Sequence, residues 1–270
     1  MSVDRIDACF ARLRDEGRKA LIPFITAGDP GLDATVPVMH ALAAAGADVI
    51  ELGVPFSDPM ADGPTIQRSS ERALGRGAGL RYVLETVAAF RRDDATTPVV
   101  LMGYLNPIEI HGTARFAQSA IAAGVDGILL VDLPPEEAAE TREIFTAAGL
   151  ALILLASPTT ADARLDTLSA MAEGYLYYVS FAGVTGASER LDSSAASARL
   201  RDLRSRSSVP VVAGFGIKDA ASAAAMAVEA DGVVVGSALV AALGEAPDAT
   251  AAARTAQAFL TPLRRALDAA

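Results

Sequence analysis

The chain is poor in the residues that carry covalent staples, soft metal sites and amine chemistry. Its single cysteine, Cys9, excludes an internal disulfide and reads most simply as a small buried residue on a helix. The two histidines, His40 on a predicted helix and His111 in a predicted loop, have no second soft ligand at a recognisable spacing, so no metal site is expected. Lys19 and Lys218 are the only lysines. Schiff-base chemistry needs an inward-facing lysine at a strand end; Lys218, just past Gly216, is the sole candidate and reads as a solvated loop residue. No apolar run reaches the roughly 18 residues needed to span a membrane. The N-terminus, with Asp4, Arg5 and Asp7 in its first turns, does not resemble a secretory signal, and a cytoplasmic protein is expected. A formal charge of -10 with no basic stripe argues against a general nucleic-acid or anionic-membrane surface.

What is present is an alternation. Eight short apolar runs recur: Ala20 to Ala27, Asp48 to Val54, Pro98 to Tyr104, Gly127 to Leu133, Leu150 to Ser157, Gly174 to Ser180, Pro210 to Gly216 and Gly232 to Leu239. Several are continuous rather than alternating, as in Val99-Val100-Leu101-Met102, which is how strands buried on both faces of a parallel sheet read. The spacers carry helix punctuation: Leu32 to Ala45 ends at Gly46, and Thr113 to Ala123 ends at Gly124. Eight strands with intervening helices predict a (β/α)8 TIM barrel, with an additional N-terminal helix over Val3 to Glu16 and a short one around Thr65 to Leu74. No linker or low-complexity break divides residues 1–270, so a single domain is expected. The phrase Ala-Ala-Gly-Ala-Asp48 returns as Ala-Ala-Gly-Val-Asp126, with a weaker echo at Glu-Ala-Asp231. It reads equally as a repeated βα unit or as a common helix-to-strand turn.

In such a barrel the chemistry sits in the loops after the strands. In the second run, if Ile50, Leu52 and Val54 face the helices, Glu51 points into the barrel. A carboxylate in that apolar setting has a raised pKa and serves as a general acid or base near neutrality; the alternative is a structural Glu paired with an arginine. The following loop, Val54 to Pro64, holds three prolines, Asp58, Asp62 and Gly63. Its stiffness suggests a shaped loop that brings Asp62 to the cavity of Glu51, where two carboxylates with separate tasks can serve both ends of a substrate.

A second cluster is suited to phosphate. Ser180 to Gly186 includes Thr185 and Gly186; the seventh run ends in Gly214-Phe-Gly216, and the eighth contains Gly236-Ser237. Barrels bind phosphate with the loops after strands seven and eight and a short helix N-terminus, here with Gly236 admitting close approach and Ser237 capping the helix.

At these residues the chain resembles a known family. Glu51-Leu-Gly-Val-Pro-Phe-Ser-Asp-Pro-Met-Ala-Asp-Gly-Pro64 is similar, almost letter for letter, to the signature of the alpha subunit of tryptophan synthase, and Tyr177 to Gly186, Gly214 to Ile217 and Val235 to Ser237 match its other motifs in order. The resemblance implies cleavage of indole-3-glycerol phosphate to indole and glyceraldehyde 3-phosphate. It also implies a PLP-dependent beta subunit as partner in an α2β2 assembly, with no cofactor in this chain. It assigns catalytic roles to Glu51, Asp62 and Tyr177, whose phenol steadies Glu51 or the substrate, and apolar walls for the indole ring to Phe24, Leu101 and Leu129; in the loop after Glu51, Phe56, Asp58, Pro59 and Met60 are expected at a partner interface, with a substrate-facing role equally open to Phe56. Gly183 to Leu191, rich in Gly and Ser, is expected to be a mobile lid. Phe181 departs from members that carry Arg after the serine, which puts an ion pair there in doubt.

Overall fold

The computed structural model describes residues 3–179, 193–214 and 216–269. Its strands are β1 (Ala20–Thr26), β2 (Ile50–Gly53), β3 (Val99–Gly103), β4 (Gly127–Leu130), β5 (Ala151–Ala156), β6 (Leu176–Val179), β7 (Val211–Gly214) and β8 (Gly232–Val235). They pair in parallel, each with the next and β8 with β1, closing the expected barrel. The helices among the described residues are α1 (Val3–Asp15), α2 (Thr35–Ala44), α3 (Pro64–Gly75), α4 (Leu80–Phe90), α5 (Leu105–His111), α6 (Thr113–Ala123), α7 (Ala139–Ala148), α8 (Asp162–Met171), α9 (Ser193–Arg206), α10 (Ala220–Ala227), α11 (Ser237–Gly244) and α12 (Ala249–Asp268). None is long and apolar enough to cross a membrane.

Side-chain alternation along the strands makes two apolar layers. Phe24, Val49, Val100, Leu129, Ile153 and Val212 fill the barrel, whose N-terminal end is plugged by Ile6, Phe10 and Leu13 of α1. Leu21, Ile50, Leu52, Leu101, Ile128 and Val233 point outward and pack under the helices. Each such side chain, once buried, contributes about 1.5–3 kcal/mol, so these layers dominate the stability of the fold.

Three boundary readings change. The apolar runs outlast the ladders, so β4 stops at Leu130, where a turn begins with the Leu133 N–H donating to the Leu130 carbonyl. The run through Leu239 is strand only to Val235; Leu239 and Val240 are instead the buried face of α11, which hydrophobicity alone does not distinguish from a strand. His111 ends α5 rather than lying in a loop.

The N-terminal rim of the barrel is fastened by one device used four times. Just before each even-numbered strand stands a carboxylate that accepts the N–H at the start of the preceding strand: Asp48 from Leu21 at 3.0 Å, Asp126 from Val99 at 2.8 Å, Glu173 from Leu152 at 3.1 Å and Asp231 from Val211 at 2.9 Å. Each is also held by an arginine: Arg91 at the end of α4 at 2.7 Å, Arg142 of α7 at 3.1 Å and Arg204 of α9 at 2.7 Å come from the helix leading into that preceding strand, whereas Asp48 is held by Arg264 of the C-terminal helix α12 at 2.9 Å. The repeated Gly-x-Asp phrases are two of these clamps and the Asp231 echo a third, so here the repeat and the turn are one thing.

Asp126 is fully buried and takes a second arginine, Arg5, at 2.7 Å. Replacing it with alanine leaves two guanidinium groups and the Val99 N–H without their acceptor. The Asp126→Ala chain is expected to lose about 3–5 kcal/mol of unfolding free energy, measured by urea titration.

Candidate active site

Glu51 lies on β2 between Phe24 of β1 and Val100 of β3 in register, and all three face the barrel interior. It is 0% exposed. The Tyr175 hydroxyl donates to its Oε1 at 2.7 Å, while Oε2 has no partner among the described residues. Burial raises its pKa from the ordinary 4.5 to about 7, and the tyrosine hydrogen bond offsets only part of that rise. The carboxyl group can therefore hold or release a proton near neutral pH.

The phenol bonded to the Glu51 carboxylate belongs to Tyr175, not to Tyr177. Tyr177 sits two residues further along the same inward face, nearer the mouth. A Cβ at Gly214 would lie 2.1 Å from its hydroxyl oxygen, so Gly214 is glycine because this phenol crosses β7 there. Gly53 plays the same part for Phe24, whose Cζ is 2.6 Å from where a Cβ would stand.

Above Glu51 the C-terminal mouth forms a cleft whose lining includes Phe24, Asp62, Ile66, Met102, Tyr104 and Val131. Leu101 is not one of its walls. It pairs with Leu52 and Ile128 on the outer face, and the inward residues of β3 are Val100 and Met102. The run Val99-Val100-Leu101-Met102 is apolar on both faces, so the sequence carries no phase by which to choose between them. Leu129 does face inward, paired with Met102.

The loop between β2 and α3 brings Asp62 to this cleft. Pro64 opens α3 at its first position, where a missing N–H costs nothing. Gln67 reaches back from the first turn to donate to the Asp62 carbonyl at 2.8 Å, and Ser69 bonds Thr26 at 2.6 Å, which seats α3 on the end of β1. Arg72 makes a bidentate pair with buried Asp29 at 2.8 and 2.7 Å, fixing the far end of the helix. The Asp62 carboxylate accepts from the Tyr104 hydroxyl at 3.2 Å, and burial lifts its pKa to about 6. Tyr104, Tyr175 and Met102 were missed; each lies on an inward strand phase or at a strand end, the one signal that marks them.

At the other side of the mouth, Gly236 precedes α11 and no side chain caps that helix. Ser237 is its first residue rather than its cap. The amides of the first turn have no partner within the helix and suit an anion. The atoms nearest a Cβ at Gly236 would be those of Phe24, from 3.6 Å, an ordinary contact, so packing among the described residues does not require glycine there; Gly216 has φ +69 and, among the described residues, nothing within 4 Å of such a Cβ. Lys218 is exposed. Of the partner-facing group, Asp58 and Met60 are exposed, Pro59 is half-buried, and the half-buried Phe56 ring packs on Tyr104 at 5.1 Å. Met60 is 85% exposed, and Ile110 on neighbouring α5 is 77% exposed. Thr185, Gly186, Phe181 and the 183–191 lid lie outside the described residues.

Because the folded chain binds the Glu51 proton more tightly than the unfolded one, stability from this site is complete below the ordinary pKa of 4.5 and is lost as the pH rises through about 7. The Glu51→Gln chain, which cannot ionise, is expected to gain stability relative to the parent across that window. The gain reaches roughly 3 kcal/mol above it and is read from urea unfolding at several pH values.

A family model described as "Tryptophan synthase alpha chain" matches residues 10–267. The tryptophan synthase alpha chain of Xanthomonas euvesicatoria is 79% identical over 264 residues, 98% of each chain. That of Xanthomonas campestris is 77% identical over 266 residues, again 98% of each. The crystal structure of tryptophan synthase subunit alpha from Legionella pneumophila superposes with a TM-score of 0.92 at 46% identity, covering 98% of this chain and 99% of that one. A chain of the tryptophan synthase α2β2 complex from Pyrococcus furiosus gives 0.82 at 40% identity, covering 91% and 98%. This chain therefore belongs to the tryptophan synthase alpha chain family.

Proposed function

We propose that the chain is a carbon-carbon lyase that cleaves indole-3-glycerol phosphate to indole and glyceraldehyde 3-phosphate, in the last steps of cytoplasmic tryptophan biosynthesis. The observation that carries the mechanism is Glu51, a buried carboxyl group titrating at about 7 at the floor of the barrel mouth, with a second carboxylate, Asp62, in the cleft wall. Cleavage without prior protonation would expel a poor carbanion from indole C3. Protonated Glu51 gives its proton to C3, which places positive charge on the ring nitrogen. Asp62, as a carboxylate, accepts the ring N–H and stabilises that charge. Glu51, now ionised, takes the proton of the hydroxyl on the adjoining carbon; C–O becomes C=O, the C–C bond breaks, and its electron pair restores the aromatic ring. The acid is regenerated.

Phe24, Leu129 and Met102 supply apolar walls for the ring, and Tyr177 lines the interior above Glu51. The phosphate is assigned to the uncapped N-terminus of α11 with Gly236 and Ser237, together with Gly214, Gly216, Thr185 and Gly186. None of these steps needs a cofactor in this chain.

The division of labour sets a pH profile. Asp62 must be ionised, which fails as the pH falls through about 6, and Glu51 must be protonated, which fails as it rises through about 7. The kcat/KM for indole formation is expected to be bell-shaped between these limits. The Glu51→Gln chain is expected to lose about 10² to 10⁴ in turnover with folding intact. Near-normal indole release from that variant would remove Glu51 from the mechanism.

The same reading includes a PLP-dependent beta subunit as partner, seated on the mouth at Phe56, Asp58 and Pro59. The large exposed side chain of Met60, in the same loop, supports this face, since such apolar exposure marks interaction surfaces. Adding the partner is expected to accelerate indole formation more than about tenfold, or about 1.4 kcal/mol of barrier. Asp58→Ala should weaken that acceleration more than basal cleavage. Equal rates with and without the partner would reject the interface assignment.

A further inference from the structure

Tyr104 stands at the end of β3 and makes the N-terminal boundary of α5. It is 4% exposed, and its ring packs on Phe56. Its hydroxyl oxygen lies 3.0 Å from the Ala61 N and 3.2 Å from Asp62 Oδ2. The amide can only donate, so the phenol oxygen accepts from Ala61, and the hydroxyl hydrogen is left for the carboxylate. We propose that Tyr104 is the positioning residue for Asp62: by accepting from Ala61 it commits its one hydrogen to the Asp62 carboxylate, which it holds ionised in the cleft wall until a substrate N–H takes its place.

The described groups around Asp62 agree. Burial pushes the carboxyl toward its neutral form, and the Tyr104 hydrogen bond is the influence that opposes it. The phenol itself is pushed well up by burial and by the Asp62 charge, so it stays a donor. Gln67 from α3 contributes only its amide, to the Asp62 backbone. Asp132, after β4, is the other carboxylate that acts on the phenol, and it accepts the Leu105 N–H at 2.8 Å. The device keeps the two catalytic carboxyl groups in opposite states, with Glu51 protonated and Asp62 charged, although Glu51 is buried and Asp62 half-buried.

The inference rests on the lyase reading for its consequence but is measurable without it. In Tyr104→Phe the ring and its packing remain while the donor is lost. The titration of Asp62 is followed by carbon-13 NMR of its carboxyl resonance, identified by its disappearance in Asp62→Asn, beside the pH profile of indole formation. A hydrogen bond to a charged group is worth enough to raise the Asp62 pKa by about one to two units, and the acid limb of kcat/KM should move up by the same amount. An unmoved Asp62 titration overturns the proposal. A fall toward the ordinary carboxylate range overturns it as well, since that is the signature of a loop released into water. A parent chain that makes no indole counts against the lyase reading alone, and the NMR titration still decides the role of Tyr104.

Discussion

The barrel depends on a constraint at the end where no chemistry occurs. Closing eight parallel strands leaves an amide at the start of alternate strands at the rim without a ladder partner, and the chain answers with Asp48, Asp126, Glu173 and Asp231, each bonding one such amide and at least one arginine. The apolar layers supply most of the stability, but greasy surfaces slide; a charged hydrogen bond with one geometry does not. Each clamp ties a helix, the start of one strand and the turn before the next strand, so register is set quarter by quarter. The opposite rim is then free to carry loops chosen for function.

At that rim the electrostatics are arranged by burial rather than by charge pairing. Burial, complete for Glu51 and partial for Asp62, pushes both carboxyl groups up, and each has one tyrosine hydroxyl that limits the rise, Tyr175 for Glu51 and Tyr104 for Asp62. Neither depends on an arginine or on the other carboxylate for its shift. Two carboxyl groups of one chemical kind can thus be held in different protonation states within one pocket. Glycines make the room: Gly53 admits the Phe24 ring and Gly214 the Tyr177 phenol, so two residues that look like loop or phosphate signals are strand positions emptied for aromatic neighbours. Gly236 and Gly216 differ: a Cβ at Gly236 would make only ordinary contact with Phe24, and among the described residues nothing lies within 4 Å of one at Gly216.

Where sequence reading went astray, the reason is the same each time. Strands buried on both faces have no hydrophobic phase, so Leu101 and Met102 are indistinguishable until the neighbours Leu52 and Leu129 set which side is inside. Tyr175 and Tyr177 share a face, and only the depth of Glu51 in the barrel selects the former. Leu239 reads as strand because a buried helix face two turns long is as apolar as a buried strand. Glu173 does the work of the Gly-x-Asp aspartates without their phrase, and nothing local marks it.

By itself, the sequence determined the alternation of strands and helices, the inward direction of Glu51, and the stiff loop carrying Asp62. These follow from local rules: side-chain alternation, turn residues, and the improbability of a charged residue in an apolar strand. Only the tertiary structure decided which tyrosine holds which carboxylate, which face of β3 lines the cleft, and that glycines at 53 and 214 serve aromatic rings. Those outcomes depend on distances between segments far apart in the chain, such as the 124 residues between Glu51 and Tyr175. No periodicity within a segment records the register of its neighbours, because register is a property of the closed barrel.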